Sequence, residues 1–372
     1  MNFDDDLAKL RSELRAIDVT MLEALARRFT LAREIGRVKA REGRPLRDFG
    51  VERAVVDRWH ERLVEWGVPA ERTATLVHWI IEESLRVQEE VAPNLSVGSE
   101  FRFDIAIVGG AGAMGVWLGD FLEDGGHHVA VVDPRGPPAG RRSLPSVEAA
   151  MREAEVVVFA TPIRSTAPLL KRAISVRSGA LIVDVLSVKA PIAPLLRDGV
   201  QSGLRISSLH PMFGPSARTL SGRNLLVVSC GNADADRAAR SLFSASALTI
   251  AEVPLERHDR LIAESLGLSH AVNLLFLAAL ASDPLSPHEL ARAASTTFRG
   301  QSALAEALAR EGPELYLDIQ ALNPDSWGTY DELAHALAQL KDLIERHDVE
   351  EFRALLEAGA AKLRVGGGPL PS

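Results

Sequence analysis

With 372 residues, 47% of them apolar, the chain is long enough to build two or three separate cores. Its formal net charge of −8 argues against nucleic acid or an anionic membrane as the main partner. A single cysteine, Cys230, excludes a disulfide framework and a thiolate metal site.

The N-terminus, MNFDDDLAKL, is acidic and lacks a signal-peptide pattern. The longest apolar runs, such as AVNLLFLAALA, are too short to span a bilayer. A soluble, cytoplasmic protein is expected. The histidines fall at no metal-ligand spacing, so no metal is expected.

Residues 1–90 read as helix. From Asp4 to Ala40 apolar residues recur at helical spacing (Leu7, Leu10, Leu14, Ile17, Met21, Leu22, Leu25), with no glycine or proline before Gly36. EGRP, with Gly43 and Pro45, breaks the pattern. A second helix runs from Phe49 to Trp66, GVP ends it, and a third runs from Ala70 to Glu90. The first helix spans roughly 55–60 Å at 1.5 Å per residue. A compact domain of that size is only about 30 Å across. Its own chain cannot cover such a helix, so a second copy is expected to do so, giving an interlocked homodimer.

Residues 91–102 read as a linker. Short apolar runs then alternate with helical stretches: DIAIVGG, HVAVVD, VVVFATP, ALIVDVLS, RISSLHP and LLVVS, a parallel α/β pattern over 103–253. Residues 254–363 read as helical and apolar-rich, and 364–372 as a frayed tail.

IAIVGGAGAMG sets Gly110, Gly112 and Gly115 in G-x-G-x-x-G spacing after a strand and before a helix. Asp133 follows 23 residues after Gly110, at the end of HVAVVD. That context predicts a Rossmann dinucleotide site, with the carboxylate on the adenosine ribose. Asp133 disfavours a 2′-phosphate, so NAD is expected, while the nearby Arg135, Arg141 and Arg142 leave NADP open. In SSLHPMFGPS, His210 ends a strand and meets a turn fixed by Pro211, Gly214 and Pro215.

VGGAGAMG, ATPI, DVLSVK, LHPMFGP and RHD stand in the order and spacing of prephenate dehydrogenase. The chain resembles that family over roughly 103–360, and its first 90 residues resemble the all-helical chorismate mutases. A mutase ahead of a dehydrogenase resembles the bifunctional T-protein family of tyrosine biosynthesis. The fold this implies is multidomain: an all-α mutase, an α/β Rossmann domain, and an all-α C-terminal substrate-binding and dimerisation domain. The reactions implied are chorismate to prephenate, then NAD-dependent oxidative decarboxylation to 4-hydroxyphenylpyruvate.

The resemblance maps the mutase site onto Arg11, Arg28, Lys39, Asp48, Glu52, Ser84 and Gln88. Lys39, Glu52 and Gln88 would be catalytic and the others substrate-binding. The rearrangement is unimolecular, so the site must clamp two carboxylates and stabilise charge on the breaking ether oxygen. Ser84 and Gln88 are i,i+4, as are Asp48 and Glu52, so each pair shares a helix face. Arg11 lies about 25 Å from Arg28 along one helix axis, so it is expected from the partner subunit.

In the dehydrogenase, the resemblance makes His210 the base at the C4 oxygen and Ser187 its hydrogen-bonding partner. His270 and Arg299 bind substrate, and Thr161 lines the nicotinamide pocket. An unperturbed histidine titrates near pH ~6.5, which places the expected rise in activity there.

One position departs from the family. Val51 stands where an arginine usually precedes Glu52. In the family's arrangement that arginine lies on the C4 side of the ring, so its loss beside Asp48 and Glu52 either makes the local field more negative and suits an ammonium, or is drift at a tolerant position. The alternative substrates are therefore 4-amino-4-deoxychorismate and 4-amino-4-deoxyprephenate, leading to 4-aminophenylpyruvate. A third alternative is a monofunctional dehydrogenase whose first helices serve dimerisation or effector binding.

Overall fold

The computed structural model describes residues 3–42, 49–68, 70–91, 102–217, 220, 223–243, 246, 248–310, 312–365 and 368–369. Three helices come first: α1 (Phe3–Arg41), α2 (Phe49–Glu65) and α3 (Ala70–Val91). α1 is unbroken over 39 residues. Gly36 lies within it because a β-carbon there would sit 3.0 Å from the Gln88 backbone. Glycine thus lets α3 approach α1 closely at Gln88. α3 buries Val77, Ile81 and Leu85 against Val55, Val56 and Trp59 of α2. Leu10, Leu14, Ile17, Met21 and Leu22 of α1 remain exposed, as its length requires.

The sheet has eight strands: β1 (Asp104–Val108), β2 (His128–Val132), β3 (Arg142–Ser143), β4 (Val156–Phe159), β5 (Leu181–Asp184), β6 (Ile206–Pro211), β7 (Asn224–Ser229) and β8 (Thr249–Pro254). Their order is β3-β2-β1-β4-β5-β6-β7-β8. Helices α4 (Ala113–Asp124), α5 (Val147–Glu153), α6 (Ile163–Val176), α7 (Ala193–Gln201) and α8 (Ala233–Ser241) connect them. Alternate residues of β1 serve opposite faces. Ala106 and Val108 join Phe159 and Ile206 in one core, while Ile105 and Ile107 join Val158 and Val183 in the other. Burial on both faces explains why these strands read as unbroken apolar runs.

Two features differ from the sequence expectation. β6 and β7 are antiparallel, with His210 opposite Leu226. The connection between them contains the Pro–Gly–Pro turn and no helix among the described residues. A parallel return needs a long crossover, usually a helix. β8 has no counterpart among the apolar runs: it is an edge strand whose exposed Thr249, Ala251 and Glu252 interrupt any such run.

The remaining helices are α9 (Leu255–Ile262), α10 (Leu268–Ala281), α11 (Pro287–Ala293), α12 (Thr296–Arg310), α13 (Pro313–Leu322), α14 (Ser326–Arg346) and α15 (Val349–Lys362). A single π-helical turn, Ala263–Gly267, joins α9 to α10. The result is one 27-residue helix, Leu255–Ala281, long and apolar enough to cross a membrane. The run read in the sequence is only its second half, which corrects the expectation that no segment reaches that length. Its first turns carry His258 and Asp259, which are buried. Leu261, Leu268, Val272 and Leu275 leave an exposed apolar face. Beyond α15, β9 (Arg364–Val365) and β10 (Gly368–Pro369) form a short antiparallel ladder where the sequence reads a frayed tail. Between the first helices and the sheet, the Glu89 carboxylate accepts from the Leu220 N–H at 3.2 and 3.3 Å.

Candidate active sites

The turn from β1 into α4 is shaped by what glycine lacks. Gly109 has φ +85°, and a β-carbon on it would lie 2.6 Å from the Ala160 carbonyl. A β-carbon on Gly115 would fall directly onto Gly109 O and 2.7 Å from Gly110 Cα. Gly112 precedes α4 with no side-chain cap, so the first amides of the helix are left for an anion. The strand order reverses here, with β1 between β2 and β4, and ligands of open α/β sheets sit at such a point.

Asp133 ends this crevice. Its carboxylate accepts from Ala111 N at 3.1 Å, Arg135 N at 3.0 Å and Arg135 Nε at 3.2 Å. Burial pushes this carboxyl up, and the bonds from Arg135 and Ala111 outweigh it, holding the group below its ordinary value. Arg141 is committed to Asp120 and Glu123 at 2.6 and 2.8 Å, and Arg142 to Glu153 at 2.5 Å. Of the three arginines that left NADP open, only Arg135 stands at Asp133. The Thr161 hydroxyl meets that of Thr166 at 2.7 Å, and its methyl lies 2.8 Å from where a Gly109 β-carbon would be. These residues fit a dinucleotide. Gly115→Ala should abolish NAD binding, because the atoms it meets are backbone and cannot yield; calorimetric titration with NAD checks this. Asp133→Ala should weaken NAD and erase most of the preference over NADP, read from kcat/KM with each cofactor.

His210 lies at the end of β6, 2% exposed, beside fully buried His258 of α9. His210 Nδ1 is 3.0 Å from His258 Nε2, and His258 Nδ1 is 2.7 Å from Asp259 Oδ1. The Asp259 carboxylate also accepts from the backbone N–H of Lys189 at 2.9 Å and of Ala190 at 2.6 Å. Buried Lys189 donates to Asp184 at 2.7 Å and to the Leu209 carbonyl at 2.8 Å. Burial, then the charges of Lys189 and His258, hold His210 well below the ordinary histidine value. The imidazole is therefore neutral in the physiological range, which corrects the expectation of a titration near ~6.5.

The turn after His210 is tied to the dinucleotide helix. Phe213 packs edge-on against Trp117 of α4 at 5.2 Å, and Trp117 Nε1 donates to Ala217 O at 2.9 Å. Ser187 is half-buried in the segment after β5, and Asp184 pairs with Ser208 of β6. Ser187 and His210 thus lie at the same ends of adjacent strands.

His270, on α10, packs edge-on to the Tyr316 ring at 4.7 Å. Arg299 is exposed on α12, whose Gln301 donates to Asn273 of α10 at 2.9 Å. Among the described residues no hydrogen bond or ion pair joins Arg299 to His210. His258, Asp259 and Lys189 are site residues beyond those the sequence marks. The signals for them are the lysine that ends DVLSVK and the His–Asp pair in RHD, at the start of the last helical segment.

In the first helices, Arg28 of α1 donates to the Ser84 hydroxyl and, at 3.3 Å, to the Ile80 carbonyl of α3. Gln88 Nε2 donates to Ser84 O at 3.0 Å. Gln88 is 6% exposed and its Oε1 is buried with no hydrogen-bond partner among the described residues. A buried amide end of this kind calls for a polar partner, an ordered water or a ligand atom. Burial lowers Arg28 from its ordinary value. Lys39 is half-buried and Arg11 exposed. The structure brings Arg28, Ser84 and Gln88 together and leaves Arg11 far along α1. Val51 is exposed in the first turn of α2. Asp48 lies outside the described residues, as does the side chain of Glu52.

Comparison with known proteins finds three families along the chain. Residues 10–89 match the chorismate mutase type II family, 142–237 the nucleotide-binding domain of prephenate dehydrogenase, and 254–358 its dimerization domain. A 4-amino-4-deoxyprephenate dehydrogenase from Streptomyces pristinaespiralis is 34% identical over 67% of this chain and 87% of its own length. A 4-amino-4-deoxychorismate mutase from Streptomyces venezuelae is 33% identical over 27% of this chain and 99% of its own. A T-protein from Enterobacter agglomerans is 23% identical over 94% of this chain and 91% of its own. Prephenate dehydrogenase from A. aeolicus, solved with hydroxyphenyl propionate and NAD+, shares the fold at a TM-score of 0.58 and 19% identity, over 71% of this chain and 98% of that one. The chain therefore belongs to the prephenate dehydrogenase family, an NAD-dependent dehydrogenase carrying a type II chorismate mutase domain ahead of it.

Proposed function

We propose that the two sites act in sequence. Chorismate rearranges to prephenate at Arg28, Lys39, Glu52, Ser84 and Gln88, with Arg11 reaching in from a second subunit and Asp48 beside the ring. Prephenate then gives 4-hydroxyphenylpyruvate, CO2 and reduced cofactor at His210. NAD, held by Gly110, Gly112, Gly115, Asp133 and Thr161, takes the hydride from C4. His210 accepts the C4 hydroxyl proton, Ser187 hydrogen-bonds the same oxygen, and His270 and Arg299 hold the carboxylates. The observation that carries this reading is a buried, neutral imidazole at a strand end, tied by its turn to the dinucleotide helix. Purified protein given chorismate and NAD should form prephenate and then reduced cofactor. Absence of mutase turnover would reduce the first helices to a dimerisation or effector module. Absence of dehydrogenase turnover would overturn the His210 assignment.

The domain division is 1–90, 103–253 and 254–363, with linker 91–102 and tail 364–372. The protein is a homodimer, supported by the uncovered apolar faces of α1 and of Leu255–Ala281 and by the dimerization family matched over 254–358. Its place is the cytoplasm, a reading supported by the single cysteine.

A second reading keeps both reactions but uses the 4-amino substrates. It is favoured by Val51 and by the higher identity to amino-specific relatives, 34% and 33%, than to a T-protein, 23%. If it holds, 4-amino-4-deoxychorismate gives the higher kcat/KM, and Val51→Arg shifts preference toward chorismate. Val51 is exposed in the single chain, so solvent screens part of a like-charge clash there, and the shift should be at least a few-fold. A wild-type preference for chorismate retires this reading.

A further inference from the structure

The bonding around His210 runs in one direction. A carboxylate only accepts, so His258 Nδ1, 2.7 Å from Asp259 Oδ1, carries the hydrogen. A neutral imidazole has one N–H, so His258 Nε2 is an acceptor. The His210 Nδ1 at 3.0 Å must then donate to it. His210 Nε2 is left as the one ring nitrogen with a lone pair for substrate. Neutral His258 is consistent with its burial, which lowers it more than the Asp259 bond raises it. Among the described residues the charged groups facing the two rings are Asp184 at the end of β5, Lys189 just beyond it and Asp259 on α9.

Asp259 also fixes the other side of the site. Its two oxygens take the N–H of Lys189 and of Ala190 at 2.9 and 2.6 Å, two and three residues beyond Ser187. Its own carbonyl is held by Asn323 Nδ2 at 2.8 Å. One carboxylate therefore sets both the histidine pair and the segment that carries Ser187.

We infer that Asp259, acting through His258, is the positioning residue that locks His210 in the tautomer whose Nε2 is the proton acceptor, and that it aligns Ser187 by the same carboxylate. This rests on His210 being the base.

The test uses three variants of the full chain, with NAD affinity and mutase turnover as measures of an intact fold. In Asp259→Asn the amide can offer its NH2 to His258, which reverses the chain and puts the hydrogen on His210 Nε2. Dehydrogenase kcat should fall about 10²-fold or more, with KM little changed. His258→Leu should fall as far. His258→Gln keeps an amide oxygen where Nε2 stood and should recover to within about tenfold of wild type. Wild-type kcat in Asp259→Asn or His258→Leu overturns the inference, as does a His258→Gln enzyme no better than His258→Leu with NAD affinity intact. If Asp259→Asn fails to fold, the Gln and Leu pair at 258 decides alone. A loss in His210→Asn without a loss in these variants sinks only the positioning role, whereas no loss in His210→Asn sinks the base itself.

Discussion

His210→Asn should lower dehydrogenase kcat/KM by about 10²–10⁴-fold, the range of a lost general base, while mutase turnover and NAD affinity stay near wild type. Asparagine keeps much of the shape and can still donate toward His258, but it takes no proton. Neither the mutase helices nor the glycine turn depends on the imidazole, so the loss should be confined to one reaction. The pH profile of the unmutated enzyme carries a second expectation. A protonated His210 accepts nothing, so activity requires the neutral ring. Burial, Lys189 and His258 hold its pKa well below the ordinary value. The acid limb of kcat/KM should therefore lie below ~6.5, the unperturbed position, and the profile should be flat from there to neutrality. A limb at or above the ordinary histidine value would mean that another group is being titrated. Near-normal turnover in His210→Asn, or NAD affinity lost in proportion to activity, would make the turn structural and move the base elsewhere.

What was legible in the sequence follows physical range. Helices α1 to α3 show themselves by a 3.6-residue period, and the glycine turn by residues that only a close backbone approach requires. Both signals are local. The histidine chain is not local, because His210 and His258 stand 48 residues apart, and only the return of α9 onto the ends of β5 and β6 joins them. Lys189 reads as a surface residue in isolation. Its burial depends on Asp184 and on the Leu209 carbonyl from the neighbouring strand. The antiparallel β7 was hidden for a related reason: a strand's own residues do not say which way its neighbour runs. The length of Leu255–Ala281 was hidden because polar residues of α9 interrupt the apolar run, while the π turn lets the helix continue through them.

Arg28→Ala should lower mutase kcat/KM by about 10²–10³-fold, the usual cost of one preorganised donor, with dehydrogenase activity unchanged. Arg28 is half-buried between α1 and α3, and its guanidinium donates to Ser84 and Ile80, one turn from the buried Gln88 amide that donates to Ser84 O. Arg28→Lys should restore only part of the activity, because a point charge cannot serve the hydroxyl and a substrate carboxylate as a planar fork does. Arg11→Ala should be as damaging, although Arg11 is exposed and lies about 25 Å along α1 from Arg28. The two defects should complement. Random exchange of the two mutant dimers makes half the molecules hybrid, and each hybrid has one site with both arginines and one with neither. Roughly a quarter of wild-type sites should return. If exchange is demonstrated by mass spectrometry and no mutase activity returns, Arg11 does not cross the dimer. The exposed Leu10, Leu14 and Ile17 around it would then need another partner.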